Sequence, residues 1–272
     1  TVISANQPTI VVKLSQENLN QVKKETALGT SRDNTFLSLS SLAIMDMNQN
    51  AVVAVAFNDS MQVSVFAQDT TAPHLVAFEL SMNVGSIGQL TLTFSETVNA
   101  SSAVASAVTL QSVSNQSASG SLFVTLSGGS FSVVDSTVLV LNLSIGDTNA
   151  IKKKVGLCVG ESSTFVAFSS ALVRDMAGLS VVAVGAASGR QVSSGKYTAD
   201  TTAPILERFS LNMSNGEVAL TFDETVESTS IVYNGGFVFL ASAGGIDYTV
   251  RGGSTASDDG TVLVISLAKA DL

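Results

Sequence analysis

Alternation of apolar and polar residues is the dominant pattern of this chain. In Gln89-Leu90-Thr91-Leu92-Thr93-Phe94-Ser95, Leu90, Leu92 and Phe94 share one face, and Thr91 and Thr93 the other. Val218, Leu220 and Phe222 repeat the arrangement. The denser apolar runs 137–143 and 261–267 suit central strands. Further strands are predicted near 75–80, 106–111, 121–126, 164–168, 180–184 and 190–197, with Gly128-Gly129, Ser188-Gly189 and Asp259-Gly260 as turns. Short strands at this spacing predict an all-β, antiparallel β-sandwich. The period changes to helical over 15–27, which carries Leu19 and Val22, and again over 144–155. A serine stands ready to cap each. Each stretch predicts a short helix crossing one end of a sandwich, and 268–272 reads as the beginning of another.

The pattern recurs. Asp69-Thr70-Thr71-Ala72-Pro73 returns as Asp200-Thr201-Thr202-Ala203-Pro204, a period of 131 residues (200 − 69). Thr93-Phe94-Ser95-Glu96-Thr97-Val98 returns as Thr221-Phe222-Asp223-Glu224-Thr225-Val226. Lys23-Lys24, Thr35-Phe36, Asp46-Met47 and Gln62-Val63 match Lys152-Lys153, Thr164-Phe165, Asp175-Met176 and Gln191-Val192. The expected organisation is therefore residues 1–68 as the back half of a repeat, the head, and 69–199 as one complete repeat. Residues 200–272 are then the front half, the tail. Half a repeat leaves half a core uncovered. Pro73 and Pro204 sit at the hand-over between units, where a missing ladder donor is tolerated and the link is stiffened.

Residues 92–98, the Asp-Thr-Thr-Ala-Pro links, Asn149-Ala150-Ile151-Lys152 and Arg174-Asp175-Met176-Ala177-Gly178 together resemble the immunoglobulin-like tandem repeats of bacterial and algal surface proteins. The resemblance covers nearly the whole chain. It implies tandem Ig-like sandwiches in an extracellular stalk, coat or fibre, and no enzymatic activity. The first copy has drifted at Ser15-Gln16-Glu17-Asn18 and Asn48-Gln49-Asn50.

Composition narrows the function. Of 272 residues, 45% are hydrophobic and only 13% charged, so the surface must be largely Ser, Thr, Asn, Gln and Gly. Such a surface suits burial in an assembly or a coat of glycans. A net charge of −9 argues against a nucleic-acid partner, which needs clustered Lys and Arg. The Lys23-Lys24 and Lys152-Lys153-Lys154 runs read as a solvated helix face or end. No apolar stretch reaches the roughly 18 residues of a membrane span. Nothing before the first repeat reads as a leader, which fits a processed chain or a portion of a longer one. The single cysteine, Cys158, reads as a small buried hydrophobe whose repeat counterpart is Gly29.

Candidate chemistry is sparse. The one histidine, His74, follows Pro73 with no nucleophile turn nearby, and there is no Gly-rich phosphate loop, so no catalytic residue and no organic cofactor are expected. Calcium at the links is the metal candidate, through Asp69 and Asp200, because Glu96, Glu224, Asp46 and Asp175 also recur. The alternative is that Asp69 and Asp200 cap turns while Glu96 and Glu224 face solvent. Asn-X-Ser acceptors for N-linked glycans occur at Asn58, Asn99, Asn115, Asn142 and Asn212.

The expected function is structural: a subunit of an extracellular filament or surface array, joined head-to-tail to identical chains by strand or half-domain complementation. A stalk segment of a long cell-surface adhesin or polyprotein is the alternative. A carbohydrate-binding module is disfavoured by the absence of Trp and by only three Tyr. The two halves overlap by one strand, since 8–14 and 261–267 both match 137–143. The expected assembly residues are therefore Pro8, Thr9, Ile10, Val11, Val12 and Leu14 on one side and Val262, Val264 and Leu267 on the other.

Overall fold

The computed structural model describes residues 7–242 and 244–268. The stretch 269–272, where the sequence suggests a helix start, lies outside them. The chain is mostly β-sheet. Before the first link run α1 (Gln16–Lys24), β1 (Phe36–Leu37) and β2 (Met61–Gln62). Between the links run β3 (Leu75–Val84), β4 (Ile87–Asn99), β5 (Val108–Gln111), β6 (Phe123–Thr125), β7 (Gly129–Phe131), β8 (Ser136–Leu143), α2 (Ile145–Lys152), β9 (Phe165–Phe168), β10 (Arg174–Asp175), β11 (Arg190–Gln191) and β12 (Tyr197–Thr198). After the second link come β13 (Leu206–Asn212), β14 (Glu217–Val226), β15 (Val238–Leu240), β16 (Asp247–Thr249), β17 (Gly253–Thr255) and β18 (Gly260–Leu267).

In the middle copy the alternation does what its period requires. Phe78, Leu80, Leu90, Leu92, Leu139 and Leu141 point inward from a sheet ordered β12-β3-β4-β8-β7, with β10 also on β4. Val108, Leu110, Val124, Val166 and Phe168 point inward from a second sheet, β11-β9-β5-β6. These side chains form one core, and each large one buried contributes roughly 1.5–3 kcal/mol. Every strand pair is antiparallel except β12 with β3, which is parallel at Tyr197↔Leu80. The wholly antiparallel expectation fails there because the chain re-enters this sheet's edge after crossing the second sheet. The predicted strand at 180–184 forms only isolated bridges, Arg174↔Ser180 and Phe168↔Val184.

Both helices start as the sequence suggests. The Ser15 hydroxyl accepts the Asn18 N–H at 3.2 Å, and the Ser144 hydroxyl accepts the Asp147 N–H at 3.0 Å. The buried Asp147 carboxylate also takes the N–H groups of Ser127 and Gly128, which fastens the turn before β7 to α2. Among the described residues no helix is long and apolar enough to cross a membrane.

The flanking stretches carry pieces of the same plan. After the second link, β13-β14-β18-β17 form one sheet and β15-β16 a separate ribbon. Their core is small: Val218, Leu220 and Ile265, with partly buried neighbours. Before the first link, β1-β2 is a ribbon, followed by the bridges Leu39↔Val55 and Met45↔Ala51. Those bridges reproduce Phe168↔Val184 and Arg174↔Ser180 at the repeat spacing.

Candidate functional site

Two equivalent joints link successive copies. In the first, the Lys23 ammonium on the last turn of α1 pairs with Asp69 at 2.6 Å and with Glu96. In the second, Lys152 on α2 pairs with Asp200 at 2.7 Å and with Glu224. The link aspartates are held by their own turns, each accepting a threonine N–H at 3.0 Å, from Thr71 and Thr202. Glu96 and Glu224 come from the ends of β4 and β14 and are buried. The following threonine finishes each joint. The Thr97 hydroxyl donates to the Asn20 carbonyl at 3.0 Å, and the Thr225 hydroxyl donates to the Asn149 carbonyl at 3.2 Å.

Two expectations are corrected here. Lys23 and Lys152 are not on a solvated face, and Glu96 and Glu224 do not face water. A buried carboxylate needs a partner, and the preceding copy's helix supplies it. The signal was present in the sequence as the joint recurrence of Asn-X-X-Lys, link Asp and Glu-Thr, but periodicity alone does not say that they meet.

Burial acts on these groups against their partners. It would lower the Lys23 and Lys152 pKa values, but the Asp and Glu oxygens more than reverse this, and both end above the usual 10.5. Burial also pulls Asp69 up, yet the Lys23 contact and the Thr71 N–H hold it below its ordinary value. In Glu96, burial outweighs Lys23, and the neighbouring Asp69 and Asp175 add to the rise.

Asp175 joins the first joint. One carboxylate oxygen from each of Asp69, Glu96 and Asp175 lies within 4.8 Å of the others. Asp175 Oδ1 accepts the N–H groups of Ala177 and Leu179, while its buried Oδ2 has no hydrogen-bond partner among the described residues. Three such oxygens suit a hard cation, but the Lys23 ammonium already pairs with two of the carboxylates, Asp69 and Glu96. At Asp200 and Glu224 no third acid completes a comparable group among the described residues. The link aspartates therefore bind a lysine and cap a turn.

The other sequence candidates are dispersed. His74 is exposed, and its N–H donates to the Ser95 hydroxyl at 3.1 Å. Cys158 is buried, its thiol pushed up to about 12 by burial. Its backbone is left-handed, φ 53°, and Gly29 has φ 67° at the same place, so the repeat demands this conformation and glycine meets it more easily. Asn58, Asn115 and Asn212 are exposed, while Asn99 and Asn142 are half-buried. The side chains of Asn99, Asn115 and Asn212 each accept the N–H of the sequon serine. Asn142 accepts from Gln89 across the β4–β8 ladder.

Two complementary apolar surfaces stand open. Phe78 and Leu80 are 0% and 1% exposed in the middle copy, whereas their counterparts Phe209 and Leu211 are 57% and 37% exposed. Val166 is 0% exposed and its counterpart Leu37 is 62% exposed. A cavity of about 880 Å³ between α1 and the middle copy is lined in part by Val22, Leu28 and Thr35. Their counterparts Ile151, Leu157 and Thr164 are fully covered. The residues expected at the seam stand in two different settings within the single chain. Residues 8–14 are exposed and form no strand, with a single bridge residue at Val12. The strand containing Val262, Val264 and Leu267, β18, is already paired on both edges, by β14 and β17. It fills the slot that β8 fills between β4 and β7, so the overlap leaves no ladder edge there for 8–14.

No family model matches the chain, and no curated protein or solved structure does so either.

Proposed function

We propose that this chain is a structural subunit of an extracellular filament or surface array, built of Ig-like sandwiches and joined head-to-tail to identical chains by half-domain complementation. The observation that carries the reading is the contrast between copies. Residues sealed in the middle sandwich recur at both ends as exposed apolar faces, and each face is the one the other covers in that sandwich. Apolar surface of this extent on a chain with 13% charged residues calls for a covering partner. The two faces are different, so the contact is heterologous and propagates instead of closing. The paired joints at Lys23 and Lys152 hold successive units at a set angle, as a filament requires. The polar surface and exposed sequons Asn58, Asn115 and Asn212 fit an extracellular setting.

The test is electron microscopy and sedimentation of the intact chain beside the Phe209→Asp variant. Phe209 is already exposed, so the variant keeps the fold of the single chain. Fibres from the intact chain that vanish in the variant support the reading. Monodisperse single chains at high concentration overturn it and favour a segment of a longer array whose neighbouring repeats supply the missing halves.

A further inference from the structure

We infer that the covering partner is a second copy of this chain, and that its β1–β2 ribbon adds to the β15–β16 ribbon in one defined register. This rests on the assembly reading above and specifies its seam. The middle copy contains the finished sheet, β11-β9-β5-β6. The β1–β2 pairing, Phe36↔Gln62 and Leu37↔Met61, is the β9–β11 pairing, Phe165↔Gln191 and Val166↔Arg190, at the repeat spacing. The β15–β16 pairing Val238↔Thr249 likewise reproduces Thr109↔Thr125. The next rung agrees as well: Val250 donates to the Phe237 carbonyl at 2.9 Å as Leu126 donates to the Val108 carbonyl at 3.0 Å. The end ribbons are thus the two halves of one four-stranded sheet, each with an inner edge that is unpaired among the described residues.

The β5–β9 ladder supplies the register: Val108↔Phe168, Thr109↔Ala167, Leu110↔Val166 and Gln111↔Phe165. Carried to the ends of the chain, it sets Phe237 opposite Leu39, Val238 opposite Ser38, Phe239 opposite Leu37 and Leu240 opposite Phe36. The β10–β4 rung Asp175↔Val98 similarly sets Asp46 opposite Val226. Asp46 then arrives beside Glu224, as Asp175 stands beside Glu96, and the second joint gains the third acid it lacks. Closing the seam covers Phe36, Leu37, Phe209 and Leu211 together with their neighbours. At roughly 100 Å² for each of about ten large apolar side chains, this reaches the order of 1,000 Å² expected of a specific interface. Main-chain ladder bonds and side-chain pockets then act together, as in strand addition.

The experiment introduces Ser38→Cys and Val238→Cys into the intact chain, followed by mild oxidation and non-reducing electrophoresis. Directly opposed residues of antiparallel strands stand about 4.5–5.5 Å apart at Cα, within disulfide reach. Cys158 does not compete, being buried with its thiol held protonated. A control pairs Ser38→Cys with Leu240→Cys, two positions out of register. The expected result is a ladder of linked multimers from the first pair and monomer from the control. A ladder from the control alone overturns the register while leaving assembly standing. A fast-migrating monomer with an internal disulfide overturns the second copy as partner. Absence of any link, in chains that still form fibres, places the seam elsewhere. Absence of both links and fibres overturns the assembly reading itself.

Discussion

Phe78 and Phe209 occupy the same position in successive copies, yet Phe78 is sealed in the core and Phe209 stands more than half exposed. The difference predicts opposite phenotypes for one substitution. Phe78→Ala should destabilise the single chain by about 3–5 kcal/mol, as for other core phenylalanines. Phe209→Ala should change the stability of the single chain little and weaken association. Thermal unfolding and sedimentation of the two variants separate these effects.

Lys23→Met should weaken the first joint. Its ammonium is partly buried between Asp69 and Glu96. The expected loss is about 2 kcal/mol, between the value of an exposed pair and that of a broken buried one. The variant also leaves Asp69, Glu96 and Asp175 together without a counter-charge. Calcium should then raise its melting temperature while leaving that of the parent chain unchanged. A parent chain that responds to calcium as strongly would show that the ammonium does not hold the site.

Stability should fall as the pH rises above about 9. Lys23 and Lys152 have folded pKa values above 10.5, so their contribution is complete below that pH and is lost as it rises through the folded values. Cys158 and Tyr197 act in the same direction. Burial pushes both up to about 12, so the unfolded chain releases their protons first, from about 9.0 and 10.0. Urea midpoints between pH 8 and pH 12 should decline, with a shallower decline above 10.5 in Lys23→Met.

Glycans should be found on the exposed sequons before the half-buried ones. Mass spectrometry of native material is expected to show hexose-containing adducts at Asn58, Asn115 or Asn212. Bare asparagine at all five sites would remove this support for a secreted glycoprotein.

The strands of the middle copy were legible because alternation has a period of two and one face must be apolar: Leu90, Leu92 and Phe94 are buried as their spacing requires. The serine caps of both helices were legible for a similarly local reason. The joints were not. Lys23 and Glu96 are 73 residues apart, and a short basic run on a helix carries no mark of what packs over it. The open ladder edges were not legible for another reason. Matching 8–14 to a strand is a statement about residue types, whereas an open ladder edge depends on which neighbours have already paired. β18 is paired on both edges, whereas β15 is paired on one, by β16.

In the proposed assembly the head of one chain completes the tail of another. Two shortened chains test it directly, residues 1–199 and residues 69–272. Each keeps the middle sandwich and one open face, so neither can propagate. Light scattering during size exclusion should find both as monomers alone and a 1:1 complex on mixing, with no larger species. Failure to associate on mixing, or self-association of either chain alone to the same extent, would contradict half-domain complementation.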